Sequence, residues 1–98
     1  MTSTINGGRM FHFQNQSGSA TISGNTNGSV SITLPTISGY TPVGIMAIQN
    51  SHGANFCITD YRITSGTEAR VVMRNLASTA ATITVTVKVL YVRSNLTN

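Results

Sequence analysis

The run Ala81–Arg93, ATITVTVKVLYVR, constrains this chain more than any other stretch. Thr82, Thr84, Thr86 and Lys88 alternate with Ile83, Val85, Val87 and Val89. Successive side chains of a strand point to opposite faces, and β-branched residues suit a pleated surface. The run therefore reads as a strand with one dry and one wet face. Past Lys88 the alternation stops. Val89 and Tyr91 continue the dry face, but Leu90 and Val92 fall where the threonines had kept the other face polar. The end of the strand is apolar on both sides. One side packs in the core; the other must meet a covering loop or another copy of the chain.

A chain of 98 residues makes one domain and buries a core without metals or disulfides. Charged residues are only 8% of it and hydrophobic ones 40%, which excludes a solvated disordered tail. Thr, Ser, Asn and Gly supply much of the remainder, as expected of a sheet protein whose wet surfaces face other chains or sugars. The net charge of +4 comes from scattered basic residues, not from the clustered stripe of a nucleic-acid binder. An anionic cell-surface polymer suits the charge equally well. Cys57 is the only cysteine, so no disulfide forms within the chain. No basic-then-apolar leader opens the sequence, and no run approaches the roughly 20 apolar residues of a membrane helix.

Taken in order, Met1–Gly8 reads as a linker or leader ending in a turn at Asn6-Gly7-Gly8. Residues 9–98 form the domain. Arg9–Gln14 is a short strand with an aromatic face, Asn15–Gly18 a loop, and Ala20–Ser23 a weak strand. Gly24–Gly28 is a turn, and Ser29–Leu34 a half-buried strand. Val43–Gln49, apolar from Val43 to Ile48 apart from Gly44, suggests a strand covered on both faces. Gly44 marks a bulge or a close backbone approach. Phe56–Thr64 and Thr67–Asn75 are strands joined by a tight Ser65-Gly66 turn. Six or seven short strands without any helical periodicity predict an all-β fold, an antiparallel jelly-roll-like β-sandwich. If the last four strands run up and down, the loops Asn50–Asn55 and Leu76–Ala80 share one end. Ser65-Gly66 and Pro35–Pro42 then lie at the other.

No catalytic motif stands out, and the chain reads as a non-enzyme. His52, Cys57 and Asp60 have the residue types of a thiol triad, but nothing fixes their geometry, and a thiol inside a strand reads as buried and inert. Asp60 and Glu68 flank the hairpin and could form an acid/base pair for sugar hydrolysis. The plainer reading is surface ion pairs, Asp60 with Arg70 or Arg62 and Glu68 with Arg62. His12 and His52 have no further ligands at metal spacing, so neither metal nor cofactor is expected. Arg70 and Arg74 share a face, with Arg62 across the hairpin. They form an anion-binding stripe or, more plainly, wet-face charges that oppose edge-to-edge pairing. Tyr40, Tyr61, Asn50, His52 and Asn55 are groups suited to sugars, aromatic faces for stacking and amides for hydroxyls; Tyr40 as a loop plug and Tyr61 as half core is the alternative. The ligand-binding set expected is Asn50, His52, Asn55, Tyr61, Arg62 and Arg74. Leu90 and Val92 are expected at an oligomer contact.

Three stretches carry a resemblance. They are Ser-Gly-Tyr-Thr-Pro-Val-Gly at Ser38–Gly44, Arg-Asn-Leu-Ala-Ser at Arg74–Ser78, and Val-Leu-Tyr-Val at the end of the last strand, Val89–Val92. With the strands between them, Leu34–Ser94 resembles the small β-sandwich domains that end tail-fibre, baseplate and receptor-binding proteins of phages infecting gut Gram-positive bacteria. The resemblance covers about two-thirds of the chain and rests on turn residues and strand faces. It implies a virion protein acting outside the cell at the bacterial surface. It also implies a homotrimer on a fibre axis that touches the host surface, read here as binding its polysaccharide; from charge and hydropathy, no nucleic-acid partner and no membrane insertion are expected. Met1–Gly8 would then be where a longer fibre was cut. A trimerisation or decoration domain without a ligand is the alternative. No binding residues carry over from the family.

Overall fold

The computed structural model describes residues 4–5, 8–51 and 55–94. A two-residue antiparallel ladder joins β1 (Thr4–Ile5) to β2 (Gly8–Arg9). The body is six antiparallel strands: β3 (Phe11–Ile22), β4 (Asn27–Thr33), β5 (Tyr40–Asn50), β6 (Phe56–Ser65), β7 (Glu68–Asn75) and β8 (Ala81–Arg93). They form two three-stranded sheets, ordered β3-β8-β5 and β4-β7-β6. The fold is the expected all-β sandwich. Among these six strands only β6 and β7 are both consecutive and paired. Every other connection crosses between sheets, nesting β4 and β7 within β3 and β8 in the manner of a jelly roll.

The dry face of β8 makes the centre of the core. Ile83, Val85, Val87, Val89 and Tyr91 are fully buried against Val30, Ile32 and Leu34 from β4 and its end, and against Ala69, Val71 and Met73 of β7. Each of these strands alternates, so period two alone directs its apolar set inward. Burying a side chain of this size contributes roughly 1.5–3 kcal/mol, and this layer supplies most of the driving force.

Two expectations are corrected. Asn15–Gly18 is not a loop. It lies within the twelve-residue β3, paired in unbroken register with β8 from Phe11 opposite Val92 to Ile22 opposite Ala81. Its polar residues suit the strand because Ser17, Ser19 and Thr21 meet Thr86, Thr84 and Thr82 in hydroxyl–hydroxyl bonds of 2.7–2.9 Å. Gly18 leaves room for β4: a Cβ there would lie 2.6 Å from the Ser31 carbonyl oxygen. Nor is Val43–Gln49 covered on both faces. β5 is an edge strand with register shifts at Val43 and Met46, and both side chains are more than half exposed. The bulges also keep this apolar edge from offering a regular ladder to other chains. Gly44 adjoins the first bulge, as one reading of it held. The other does not apply: a Cβ at Gly44 would meet nothing within 4 Å.

The strands alternate in direction, so the connections sort to two ends. At one end the Leu76 amide donates to the Asn55 carbonyl at 2.8 Å, the Asn25 amide to Ala77 and the Ser51 amide to Thr84. The loop after β5 and the connection after β7 thus share an end with the turn between β3 and β4. At the other end the Leu34 amide donates to Thr67, Ser94 to Gly39 and Arg93 to Met10. The start of β3 and the end of β8 are both there.

Candidate functional site

The outer face of the β3-β8-β5 sheet divides sharply along its length. Residues directly opposite in a ladder share a face. Toward the loop end, the face is the ladder of Ser17–Thr86, Ser19–Thr84 and Thr21–Thr82 hydroxyl pairs. Toward the end holding Met10 and Arg93, it is apolar up to the Thr41–Ser94 hydroxyl pair, 2.7 Å apart beside Val92. Phe11 lies opposite Val92 and Phe13 opposite Leu90, while Gly44 and the bulged Val43 flank Leu90 from β5. Phe11 and Phe13 are 50% and 52% exposed, Val43 and Met46 56% and 57%. Leu90 and Val92, between them, are only partly covered.

Lys88 stands at the boundary. Its Nζ lies 5.2 Å from the centroid of the Phe13 ring, within reach of the negative π face. Asn15 is opposite it on β3 and Ala47 on β5. With Ile48, Gln49 and Thr86 these residues line a shallow groove of about 410 Å³.

The aromatic alternation of β3 predicts a face but not its direction. Phe11 and Phe13 look outward, and His12, Gln14 and Gln16 look inward along the sandwich edge. His12 Nε2 lies 3.2 Å from Gln14 Oε1, Gln14 donates to Gln16 at 3.0 Å, and Gln16 donates to the Thr33 carbonyl at 3.3 Å. The His12 ring packs 5.9 Å from that of Tyr40 and 6.0 Å from that of Tyr91. This polar column closes β3 onto β4. β5 and β6 meet more loosely.

The expected ligand set does not form one site. Asn50 and Asn55 lie at the loop end, and His52 falls outside the described residues. Arg74, near that end on the outer face of the β4-β7-β6 sheet, donates to Asn27 Oδ1 at 3.3 Å. Tyr61 lies opposite buried Val71, on the inner side of edge strand β6, and is half exposed where β5 and β6 part. Arg62 is on the outer face, opposite Arg70. At about 3.3 Å per residue, Tyr61 and Arg62 are roughly 20 Å along β6 from Asn55. Tyr40 packs against the core and the His12 ring.

Both carboxylates lie on the β4-β7-β6 sheet beside arginines. Asp60 Oδ2 is 2.6 Å from Arg62 Nη2, one of the two pairings expected for it. Glu68 pairs with Arg70 at 3.7 Å, not with Arg62 as expected, because the hairpin register sets Arg62 against Arg70 and Glu68 against Ser65. The Arg62 hydrogen bond holds Asp60 below the usual carboxylate range, and hydrogen bonds from Thr64 and Ser31 do the same for Glu68. A general acid for sugar hydrolysis needs the opposite shift. Cys57 is exposed and not buried as expected, since it lies opposite Arg74 on the outer face. Phe56 and Ile58 share a sequence face with Asp60 and Arg62, and the register shifts between Ile58 and Asp60 and between Ile63 and Ser65 account for that mixed pattern in β6.

The residue that sequence reasoning missed is Asn75. It is fully buried in an otherwise apolar layer. Its Nδ2 donates to the carbonyls of Ile22 at 3.0 Å and Thr79 at 2.9 Å, and its Oδ1 accepts from the Ala77 amide at 2.9 Å. The Arg-Asn-Leu-Ala-Ser turn is built on that side chain. An amide at an inward position of an alternating strand was the available signal.

Comparisons with protein-family models, with curated proteins and with solved structures found no match.

Proposed function

We propose that this chain is a non-enzymatic head domain of a phage tail fibre or receptor-binding protein, assembling as a homotrimer and binding host-surface carbohydrate. The observation that carries the reading is the apolar half of the outer β3-β8-β5 face. Phe11, Phe13, Leu90 and Val92 are contiguous by register, the bulged Val43 and Met46 adjoin the Leu90 and Lys88 positions, and four of the six are at least half exposed. Contiguous apolar patches beyond a few hundred Å² are rare on monomers and mark association surfaces. Three copies packed through this patch leave the three connections at the opposite end free to face outward. The sharing of a face between apolar residues and hydroxyl ladder suits a contact confined to one end. Hydrogen bonds shift both carboxylates downward, the direction opposite to that of a general acid for sugar hydrolysis. The virion setting comes from the resemblance of Leu34–Ser94.

Light scattering of the chain at high micromolar concentration tests the assembly, with a mass of three chains expected and a monomer overturning independent trimerisation. Binding to a glycan array tests the ligand. An assembled protein that binds no glycan would leave a trimerisation domain.

A further inference from the structure

The groove around Lys88 lies apart from the loops, and its chemistry is specific. The chain contains two acidic residues, Asp60 and Glu68, and both sit on the opposite sheet beside their own arginines. Strands β3, β5 and β8 contain no acid at all. Lys88 therefore has no carboxylate anywhere on its own sheet, and the π face of Phe13 is a weak counter-charge for it. Asn15 stands opposite Lys88 on β3, and Gln49 lies diagonally on β5, opposite Thr86; each amide offers a donor pair and an acceptor. Beside it the Thr86 hydroxyl is paired with Ser17. The volume, about 410 Å³, falls at the small end of the range for small-molecule sites.

We infer that this groove is a binding site for an anionic saccharide unit, its carboxylate or phosphate paired with Lys88 and its hydroxyls bonded by Asn15 and Gln49. The inference rests on the reading of the chain as a carbohydrate-binding domain, and it gives that reading a site and a ligand charge. The ammonium supplies the charge-assisted bond, stronger than neutral ones. The amides fix the orientation of the hydroxylated carrier. Phe13 lies beyond the groove's lining and holds the Lys88 ammonium from the apolar side.

Isothermal titration at low salt with trigalacturonate, with glycerol 1-phosphate and with neutral dextran tests the site on the full chain. One or both anions are expected to bind and dextran not to, and the anion that binds identifies carboxylate or phosphate. Lys88→Gln is expected to weaken binding by at least about tenfold, the value of one charge-assisted hydrogen bond. Lys88→Arg keeps the charge and is expected to retain most of it. The melting temperature of each variant shows that it is folded. Failure of both anions to bind, or equal binding by Lys88→Gln, overturns the site. Lys88-independent binding on a glycan array would leave the broader carbohydrate reading standing while this groove falls.

Discussion

Asn75 Nδ2 donates to the Ile22 carbonyl at 3.0 Å, tying the end of β7 in one sheet to the end of β3 in the other. The same side chain holds Thr79 and Ala77. A single buried amide thus fixes both the edge of the sandwich and the connection that launches β8.

Asn75→Ala removes three hydrogen bonds and leaves the Ile22 carbonyl buried without its partner. Each unsatisfied buried group costs about 1–3 kcal/mol, so a loss of roughly 2–4 kcal/mol is expected. In a domain of this size that lowers the melting temperature by at least about 10 °C. A melt within 2–3 °C of the native protein (roughly 0.5 kcal/mol) would show that water or the backbone replaces the amide.

Gly18 and Gly44 are predicted to respond oppositely to alanine. The added methyl at Gly18 would lie 2.6 Å from the Ser31 carbonyl oxygen and 3.0 Å from Ile32 Cγ1, so β3 and β4 must move apart. Overpacking of this kind costs about 1–3 kcal/mol. At Gly44 the methyl meets open space, and the residue is not among those with positive φ. Gly44→Ala is expected to be neutral or to stabilise by up to about 1 kcal/mol through the unfolded chain. Urea denaturation of both variants checks the pair; equal destabilisation would refute the distinction.

What could be read from the sequence followed from periodicity. The alternation in Ser29–Leu34, Glu68–Met73 and Ala81–Val89 fixed the faces of β4, β7 and β8, and the placing of turns sorted the connections to two ends. Periodicity failed where residue type departs from environment. Asn15–Gly18 has turn composition, yet cross-strand hydroxyl pairing and a close approach to β4 make it strand. Val43–Gln49 has a central strand's composition, yet two bulges set it at an edge. Leu90 and Val92 were legible as a second apolar face because they break an alternation. The partners that complete that face, Phe11, Phe13, Val43 and Met46, needed the β3-β8-β5 register. The candidate groove was not legible, since Asn15, Gln49 and Lys88 converge only through strand order.

Tyr91 sets a further expectation, at alkaline pH. Its ring is fully buried and its hydroxyl donates to the Pro35 carbonyl at 2.8 Å. Burial pushes the phenol pKa above its ordinary 10.0. In the unfolded chain the phenol ionises near the ordinary value, so above about pH 10 the unfolded state holds fewer protons than the folded one. Stability from this group is present below that pH and falls as pH rises toward the folded pKa. Tyr91→Phe should cost about 1 kcal/mol at neutral pH and flatten the alkaline decline. Melting curves from pH 8 to 11 compare the two proteins; parallel declines would exclude Tyr91 as a source.

Leu90 and Val89 are neighbours on β8 with opposite surroundings, and lysine at each separates assembly from folding. Val89 is fully buried between the sheets. Val89→Lys places an unpaired charge in the core, where relaxation or water penetration still leaves a penalty of several kcal/mol, and the domain is expected not to fold. Leu90 is partly covered on the outer face, beside exposed Phe13 and Val43. Leu90→Lys keeps the ammonium in water while the chain is alone, so circular dichroism should show native sheet and a melting temperature close to the parent's. In the proposed trimer the same charge would be buried among apolar side chains of another copy, next to Lys88 of its own strand. Light scattering should then find a monomer, or an assembly dissociating at least about tenfold more readily. Loss of fold in Leu90→Lys would put Leu90 in the core instead of on the outer face. A folded variant with the parent's mass would move the contact off this face altogether.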